Sequence, residues 1–314
     1  TDKYGTIYPS TISNAKNKID KSTLFCGGST TETASVQEGQ RVPDIYSKIT
    51  GNIAINASRS SKDVKGCTKT IDYFLKNHGK PNVIIIATNI NTFGLYGRTK
   101  ADKKILSKKV FSLNDPQSGL RRFSRKYFKL ITPGLAKTRF HIKKQEDVGL
   151  QSSGKVNYES RLFKGCCYIA GGFNKPNSNI VFDWESSSNK EGYRNLLRDQ
   201  LKELDNLINK YSLDKEKIFF FIEPNSFLLP KTSSNIDYRQ YLHNKNGVKV
   251  DGETSAKWAK IYDDIFYNTV EQYGYKLLNV KISDLRSEYF YDAVHLSLEG
   301  SKFIGKFYSE NITP

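Results

Sequence analysis

Short apolar runs alternate along the chain with longer stretches in which apolar residues recur every three or four positions. The short runs close at Gly, Asn, Ser or Pro and occupy positions 22–26, 52–56, 83–88, 218–223 and 276–280. Continuous apolar runs of this length are typical of strands that are covered on both faces of a sheet. The pattern therefore predicts five short buried strands.

The longer stretches predict two amphipathic helices, because a spacing of three and four residues puts apolar side chains on one helix face. Their apolar positions are Tyr193, Leu196, Leu197, Leu204, Leu207, Ile208 and Tyr211 in the first, and Trp258, Ile261, Ile265 and Val270 after Thr254 in the second. Alternation of strands and helices predicts an α/β fold with a mostly parallel sheet covered on both faces. In such folds the ligand site lies beyond the carboxyl ends of the strands.

Residues 93–188 interrupt this alternation. The stretch is basic and aromatic, and it carries turn signals at Asp115-Pro116, Pro133-Gly134 and Gly171-Gly172. We interpret it as an insertion or lid between the third and fourth strands. It would belong to a domain spanning residues 21–314, preceded by an N-terminal extension at residues 1–20.

The charge of the chain is unevenly distributed. The 314 residues include 49 Lys and Arg against 32 Asp and Glu, a net charge of +17. Residues 98–144 hold fifteen basic and two acidic residues, so this segment alone supplies +13. Such a field attracts anionic polysaccharide, phospholipid head groups or nucleic acid, although a solvated lysine-rich surface would give the same composition. No apolar run reaches the roughly 18 to 20 residues that a membrane-spanning helix needs.

Cysteine and methionine usage bears on the compartment. The four cysteines, at positions 26, 67, 166 and 167, match no metal-binding spacing, and they permit one disulfide without requiring it. The chain contains no methionine, not even an initiator. We therefore expect a piece of a longer protein, from which a signal peptide or membrane anchor ahead of Thr1 has been removed.

The sharpest local motif is Phe25-Cys26-Gly27-Gly28-Ser29-Thr30-Thr31-Glu32. An apolar strand runs into two glycines, which let the backbone turn sharply, and a helix N-terminus follows, whose amides favour negative charge. Ser29 is therefore placed like a nucleophile. Taken alone, the motif would be better interpreted as a tight turn followed by a helix cap.

A nucleophilic serine needs a base, and the chain has four histidines. His78 sits at a predicted helix C-terminus, where a structural role is expected. His141 lies among cationic residues, and His243 lies in a polar loop with no carboxylate nearby in sequence. His295 follows Asp292 by three residues, so that the carboxylate can orient the imidazole. As an isolated pair, Asp292 and His295 would be better interpreted as residues that cap and pack the last helix.

A nucleophile on a Gly-Gly turn after the first strand, combined with Asp-x-x-His before the closing helix, resembles the SGNH hydrolases, also called GDSL-type esterases. Within them the chain is similar to the Gly-Gly-Ser-Thr-Thr-Glu subgroup associated with polysaccharide modification. The resemblance covers residues 20–92 and 216–310. It implies a three-layer α/β/α fold with a five-stranded sheet in flavodoxin-like order. It also implies Ser29 as nucleophile, with Asp292 and His295 completing the triad.

The oxyanion-hole motifs of the family are altered in this chain. The second block normally reads Asn-Ala-Gly and is here Asn56-Ala57-Ser58, so the amide of Ser58 would take the donor role beside the amide of Ser29. The third block normally reads Gly-x-Asn-Asp and retains only its asparagine, Asn91, as a third donor. A displaced donor can cost about 10² to 10³ in turnover. Without the resemblance, Ser58 would be a loop serine that caps the next helix, and Asn91 a turn residue.

The resemblance implies a serine esterase or O-acyltransferase acting on acyl esters, of which acetyl is the first candidate, of an extracytoplasmic carbohydrate. No cofactor or metal is expected. The basic segment 98–144 could hold an anionic glycan or a membrane surface. Two alternatives are a catalytically decayed module that binds such a surface, and nucleic-acid binding through a basic and aromatic cluster, although nucleic acid is not the expected partner. That cluster is Arg121, Arg122, Phe123, Arg125, Lys126, Tyr127 and Phe128. Trp184 is the candidate for the pocket rim, whereas Trp258 is expected in the core.

Overall fold

The structure, a computed structural model, describes residues 18–33, 36–59, 62–88, 185–229, 242–243, 249–250, 252–290 and 295–312. Five parallel strands form its main sheet, in the spatial order β2-β1-β3-β4-β7. They are β1 (Ser22–Gly27), β2 (Ile53–Asn56), β3 (Val83–Thr88), β4 (Ile218–Ile222) and β7 (Lys276–Leu278). The predicted flavodoxin-like order is therefore confirmed, and every strand begins within one residue of its predicted start.

Helices cover both faces of this sheet. They are α1 (Ser29–Glu32), α2 (Val42–Thr50), α3 (Val64–His78), α4 (Ser187–Tyr211), α5 (Gly252–Gln272) and α6 (Leu298–Asn311). One buried cluster joins one sheet face to α3, α4 and α5, and it includes Leu24, Ile71, Leu201 and Phe266. A second cluster joins the opposite face to α2 and α6, and it includes Phe25, Tyr46 and Tyr308. The three-layer α/β/α prediction is thus confirmed.

The two predicted helices are present, and one predicted position is wrong. Leu196 is 37 % exposed, and Gln200 is buried instead. The Gln200 side chain is buried because its Nε2 donates to Asp63 Oδ2 at 2.8 Å, which joins α4 to the N-cap of α3. Trp258 on α5 packs against the core cluster as predicted, and is partly buried there.

A short antiparallel pair, β5 (Leu242–His243) with β6 (Lys249–Val250), precedes α5 and was not predicted. It contains His243, which the sequence had suggested for a loop. His78 is the last residue of α3, as predicted, and its ring packs 5.2 Å from that of Phe74.

Several predictions lie outside the described residues. They concern the N-terminal extension at 1–17, most of the insertion, with Trp184 and the basic segment 98–144, and the cysteines at 166 and 167. Cys26 and Cys67 are described, and both are buried free thiols. Across the described ranges, no helix combines the length and the apolarity needed to cross a membrane.

Candidate active site

Ser29 lies at the carboxyl end of β1, where it begins the one-turn helix α1. Its side chain is half-buried, whereas the next three residues are buried. The turn closes through a hydrogen bond from the Thr33 amide to the Ser29 carbonyl oxygen at 3.0 Å. Thr33 itself has left-handed torsion angles, φ 48° and ψ 43°, which are unfavourable for a β-branched residue. Such strain is commonly concentrated at functional sites.

Gly27 is needed at this turn because there is no space for a side chain, and not because the backbone adopts torsion angles that only glycine favours. Neither Gly27 nor Gly28 has positive φ, so the expected glycine-dependent turn is not what the structure contains. A Cβ atom on Gly27 would lie 2.9 Å from Thr31 Oγ1 and 3.0 Å from the carbonyl oxygen of Ala87. Glycine is therefore needed because β1, β3 and α1 approach one another closely here.

His295 is held at the same edge of the sheet by the segment that leads into α6. Phe290 and Leu296, the latter directly after His295, form an isolated antiparallel bridge. Ser297 caps α6, since its hydroxyl accepts from the Gly300 amide at 3.1 Å. A Cβ atom on Gly300 would lie only 2.0 Å from the Tyr289 carbonyl oxygen, so this glycine lets the helix pack against the preceding turn.

The two ends of the chain meet in a hydrogen bond between His295 Nε2 and Ser29 Oγ, at 2.8 Å and across 266 residues of sequence. With Nε2 unprotonated, the Ser29 hydroxyl donates and the imidazole accepts. This distance is within the range in which a general base takes a proton from a nucleophile. The structure therefore brings together two of the three residues that the sequence suggested for a triad.

The remaining predicted site residues have different outcomes. Asp292 and Asn91 lie outside the described residues. Ser58 is fully buried, and its amide donates to Asn56 Oδ1 at 3.1 Å. A role for that amide in an oxyanion hole would require it to exchange or share this bond. The alternative that Ser58 caps the next helix is wrong, because Asp63 caps α3 by accepting from the Gly66 amide at 2.8 Å.

One buried carboxylate that contacts the helix of Ser29 was missed by the sequence analysis. Glu223 directly follows β4 and is 1 % exposed. Its Oε1 accepts from the Thr31 amide at 2.7 Å and also from the Thr31 hydroxyl. The available signal was an acidic residue at the carboxyl end of an otherwise apolar strand, which is where this fold places its ligand sites.

Cys26 and Cys67, the two thiols that the structure describes, are both buried. Burial raises the pKa of Cys26, but hydrogen bonds with Cys67 and Thr70 and the charge of Lys62 outweigh it and lower this pKa. Cys26 precedes the two glycines and is fully buried in the cluster on the α3 side of the sheet. Burial and the neighbouring Cys26 thiol raise the pKa of Cys67 well above its usual value. A buried thiol with a raised pKa is inert. Among the residues that the structure describes, no three His, Cys, Asp or Glu side chains are grouped so as to hold a metal ion.

No protein-family model matches the chain, and no curated protein matches it. Several solved structures do match the chain. A carbohydrate acetylesterase family member from Sinorhizobium meliloti is 13 % identical, with a TM-score of 0.40 over 92 % of this chain and 96 % of that one. The psychrotrophic esterase EstA from Pseudoalteromonas sp. is 10 % identical, with a TM-score of 0.40 over 93 % and 96 %. AlinE4, an SGNH-hydrolase family esterase, is 11 % identical, with a TM-score of 0.37 over 93 % and 94 %.

These similarities concern general shape, and at TM-scores below 0.5 they carry no argument about activity. They do not bear on the Gly-Gly-Ser-Thr-Thr-Glu subgroup, which stays a prediction.

Proposed function

We propose that the protein is a serine esterase or O-acyltransferase that acts on acyl esters of a carbohydrate. The observation that carries this proposal is the 2.8 Å hydrogen bond between Ser29 Oγ and His295 Nε2. It is supported by the position of Ser29 at the carboxyl end of β1, the edge at which open α/β sheets bind ligands.

The reaction begins when His295 Nε2 takes the hydroxyl proton and Ser29 Oγ attacks the ester carbonyl carbon. The carbonyl oxygen becomes an oxyanion, held by the amide of Ser29 with Ser58 and Asn91 as the other candidate donors. As the tetrahedral intermediate collapses, His295 returns the proton to the leaving alkoxide oxygen. Asp292 would hold the imidazole in the tautomer that accepts at Nε2.

The acyl-enzyme is then resolved by a second nucleophile. His295 removes a proton from water or from a sugar hydroxyl, whose oxygen attacks the acyl carbon and releases Ser29. Water as acceptor gives a hydrolase, and a sugar hydroxyl gives an O-acyltransferase. We propose an acylated carbohydrate as substrate and an extracytoplasmic location, with residues 98–144 as the candidate contact for an anionic glycan or membrane surface.

The proposal is tested by Ser29→Ala, with release of p-nitrophenol from its acetate ester as the assay. We expect the loss of at least about 10³-fold in kcat/KM, because the variant has no nucleophile. Ser283→Ala is the matched control, since Ser283 is an exposed serine on a turn outside the site, and it should retain wild-type activity. Wild-type turnover by Ser29→Ala would refute the proposed mechanism.

A second candidate function is a non-catalytic module that binds an anionic glycan or a membrane surface on the same scaffold. It is favoured by one observation, the engagement of the Ser58 amide by Asn56 Oδ1. A fluorophosphonate probe separates the two, because it labels a serine only where a base activates it. Labelling of the wild type that is lost in Ser29→Ala supports the esterase. Absence of labelling in a folded wild type supports the binding module.

A further inference from the structure

Glu223 connects three elements at the carboxyl edge of the sheet. Its amide donates to the Thr88 carbonyl oxygen at 2.7 Å, which joins the ends of β3 and β4. Its carboxylate oxygen Oε1 accepts both the amide and the hydroxyl of Thr31. Thr31 lies two residues after Ser29 in α1. The strand that carries Glu223 and the turn that carries the nucleophile are therefore joined by side-chain hydrogen bonds that cross 192 residues of sequence.

The nucleophile turn needs such an external contact. Helix α1 has four residues, and a single helical turn has little stability of its own because helix nucleation is unfavourable. The turn also ends at Thr33, whose left-handed torsion angles are unfavourable for a β-branched residue and therefore destabilise the turn. Contacts from elsewhere must therefore fix the direction in which Ser29 Oγ points.

The chemistry of the contact suits this task. A carboxylate that accepts from an amide and a hydroxyl forms charge-assisted hydrogen bonds, which are shorter and stronger than neutral ones. Both partners are almost completely buried, with Thr31 3 % and Glu223 1 % exposed, so water competes little. The charge also acts on its surroundings: burial and the Glu223 carboxylate raise the pKa of the Tyr308 hydroxyl. Gly27 leaves the space in which Thr31 Oγ1 makes this contact.

We propose that Glu223 is a positioning residue for the nucleophile: through Thr31 it fixes α1 so that Ser29 Oγ stays within hydrogen-bond distance of His295 Nε2. This inference rests on the proposed esterase function and deepens it. Glu223 does not take part in the proton transfers, and its effect reaches the substrate only through the orientation of Ser29. It should therefore change the rate of acylation and leave the substrate affinity unchanged.

The test compares Glu223→Gln, Thr31→Val and Thr31→Ser with the wild type in the p-nitrophenyl acetate assay and in the rate of fluorophosphonate labelling. Glu223→Gln keeps the shape of the side chain and removes its charge, and Thr31→Val removes one of the two donors. We expect each to lower kcat and the labelling rate about tenfold, with KM within about twofold, because small displacements of reacting groups are costly. Thr31→Ser keeps the hydroxyl and should restore at least about half of the wild-type kcat.

The double variant Glu223→Gln/Thr31→Val shows whether the two residues act as one unit. Its kcat should be close to that of the more impaired single variant, because effects through one contact are not additive. Thr23→Val is the matched control. Thr23 Oγ1 shares a buried hydrogen bond with Tyr46 Oη at 3.2 Å, on the same strand β1 but away from Ser29. The Thr23→Val substitution should lower the melting temperature and leave kcat unchanged.

Two outcomes overturn the inference while the proposed function stands. In the first, Glu223→Gln and Thr31→Val fold and label at the wild-type rate, so the contact only stabilises the fold. In the second, the single effects multiply in the double variant, so the two residues act separately. If the wild type itself neither hydrolyses the ester nor reacts with the probe, the proposed function fails, and this inference fails with it.

Discussion

The two edges of the sheet differ in how they use polar residues. At the carboxyl edge, polar side chains are buried and bond to one another or to the backbone, as with Thr31 and Glu223, and Asn56 and Ser58. At the amino edge, charged side chains form ion pairs that remain exposed to solvent. These pairs are Lys76–Asp72, Lys210–Asp72, Lys215–Asp205 and Lys276–Glu216.

The difference shows where this fold tolerates a free-energy cost. Exposed ion pairs contribute about 0 to 1 kcal/mol each, so the loss of one such pair at the amino edge costs little stability. A buried polar group that loses its partner costs about 1 to 3 kcal/mol. Asn225, fully buried just after β4, already has two side-chain atoms without a hydrogen-bond partner within the described part of the chain. Buried polar groups also occur at the start of β1, at Ser22 and Thr23, but Thr31, Glu223, Asn56, Ser58 and Asn225 add to them at the edge where Ser29 and His295 meet.

The largest difference between the edges is expected for histidine substitutions. His295→Ala removes the proposed base and should lower kcat/KM by at least about 10³-fold. His78→Ala, at the amino edge, removes a ring that packs on Phe74, so it should cost roughly 1 kcal/mol of stability and no activity. Ester hydrolysis and thermal melting of both variants provide the comparison. Equal activity of the two variants would show that the carboxyl edge has no catalytic role.

A smaller difference is expected for two glycines. Gly27→Ala would place a methyl group 2.9 Å from Thr31 Oγ1, and such overpacking costs about 1 to 3 kcal/mol. Because α1 must shift to relieve the overlap, kcat should fall too.

Gly51→Ala is the counterpart at the amino edge. Gly51 has φ +71° and nothing within 4 Å of its added Cβ, so the cost of about 1 kcal/mol arises from backbone conformation alone. Its kcat should not change. Denaturant unfolding and kcat are measured for both variants, and a Gly27→Ala protein with unchanged kcat would argue against the tight packing that holds Ser29.

The smallest effect is expected at Asp72. Hydrogen bonds from Lys76, Lys210 and Tyr211 lower its pKa from 3.8 to about 2. Because the pKa is lower in the folded state, the contribution to stability is complete above about pH 4 and is lost as the pH falls towards 2. Asp72→Asn should therefore lower stability by less than about 1 kcal/mol at pH 7, since both lysines are more than half exposed.

The measurement is the melting temperature of wild type and Asp72→Asn between pH 2 and pH 7. The difference between the two proteins should shrink as the medium becomes acidic, and activity at pH 7 should be equal. A difference that grows on acidification would contradict the lowered pKa.

The framework could be predicted from the sequence because it depends on local pattern. Strands β1, β3 and β4 are short apolar runs that are buried throughout, as the pattern predicts, whereas β7 is exposed at Lys276 and buried only at Leu278. The prediction that Leu196 is buried was wrong because the buried face of a helix depends on what packs against it. Gln200 is buried and bonded to Asp63, whereas Leu196 lies at the edge of the buried face of α4. The β5–β6 pair was missed since two residues a strand give no periodic signal.

Site residues could be predicted from the sequence only where they belong to a recognisable motif. Ser29 and His295 each stand in a recognisable local context, and their hydrogen bond follows from the topology. Glu223 has no such context, because its function depends on Thr31, a residue far away in sequence. The position of Ser58 in a motif predicts that its amide lies in an oxyanion hole. In the structure this amide donates to Asn56 Oδ1, which depends on the local loop geometry and cannot be predicted from residue spacing.

The described residues that flank positions 89–184 lie at one edge of the sheet. The chain leaves β3 at Thr88, where Tyr262 donates to the threonine hydroxyl at 2.7 Å, and it returns at Glu185, which pairs with Lys257 on α5 at 2.7 Å. In a parallel sheet the helix before β4 starts at the rim where β3 ends, so both attachment points belong to the rim that carries Ser29. Thr88 and Glu185, the described residues on either side of positions 89–184, therefore both lie at that rim. The register of the five-stranded sheet is formed without any residue of this stretch, since its strand pairs all lie within residues 22–27, 53–56, 83–88, 218–222 and 276–278.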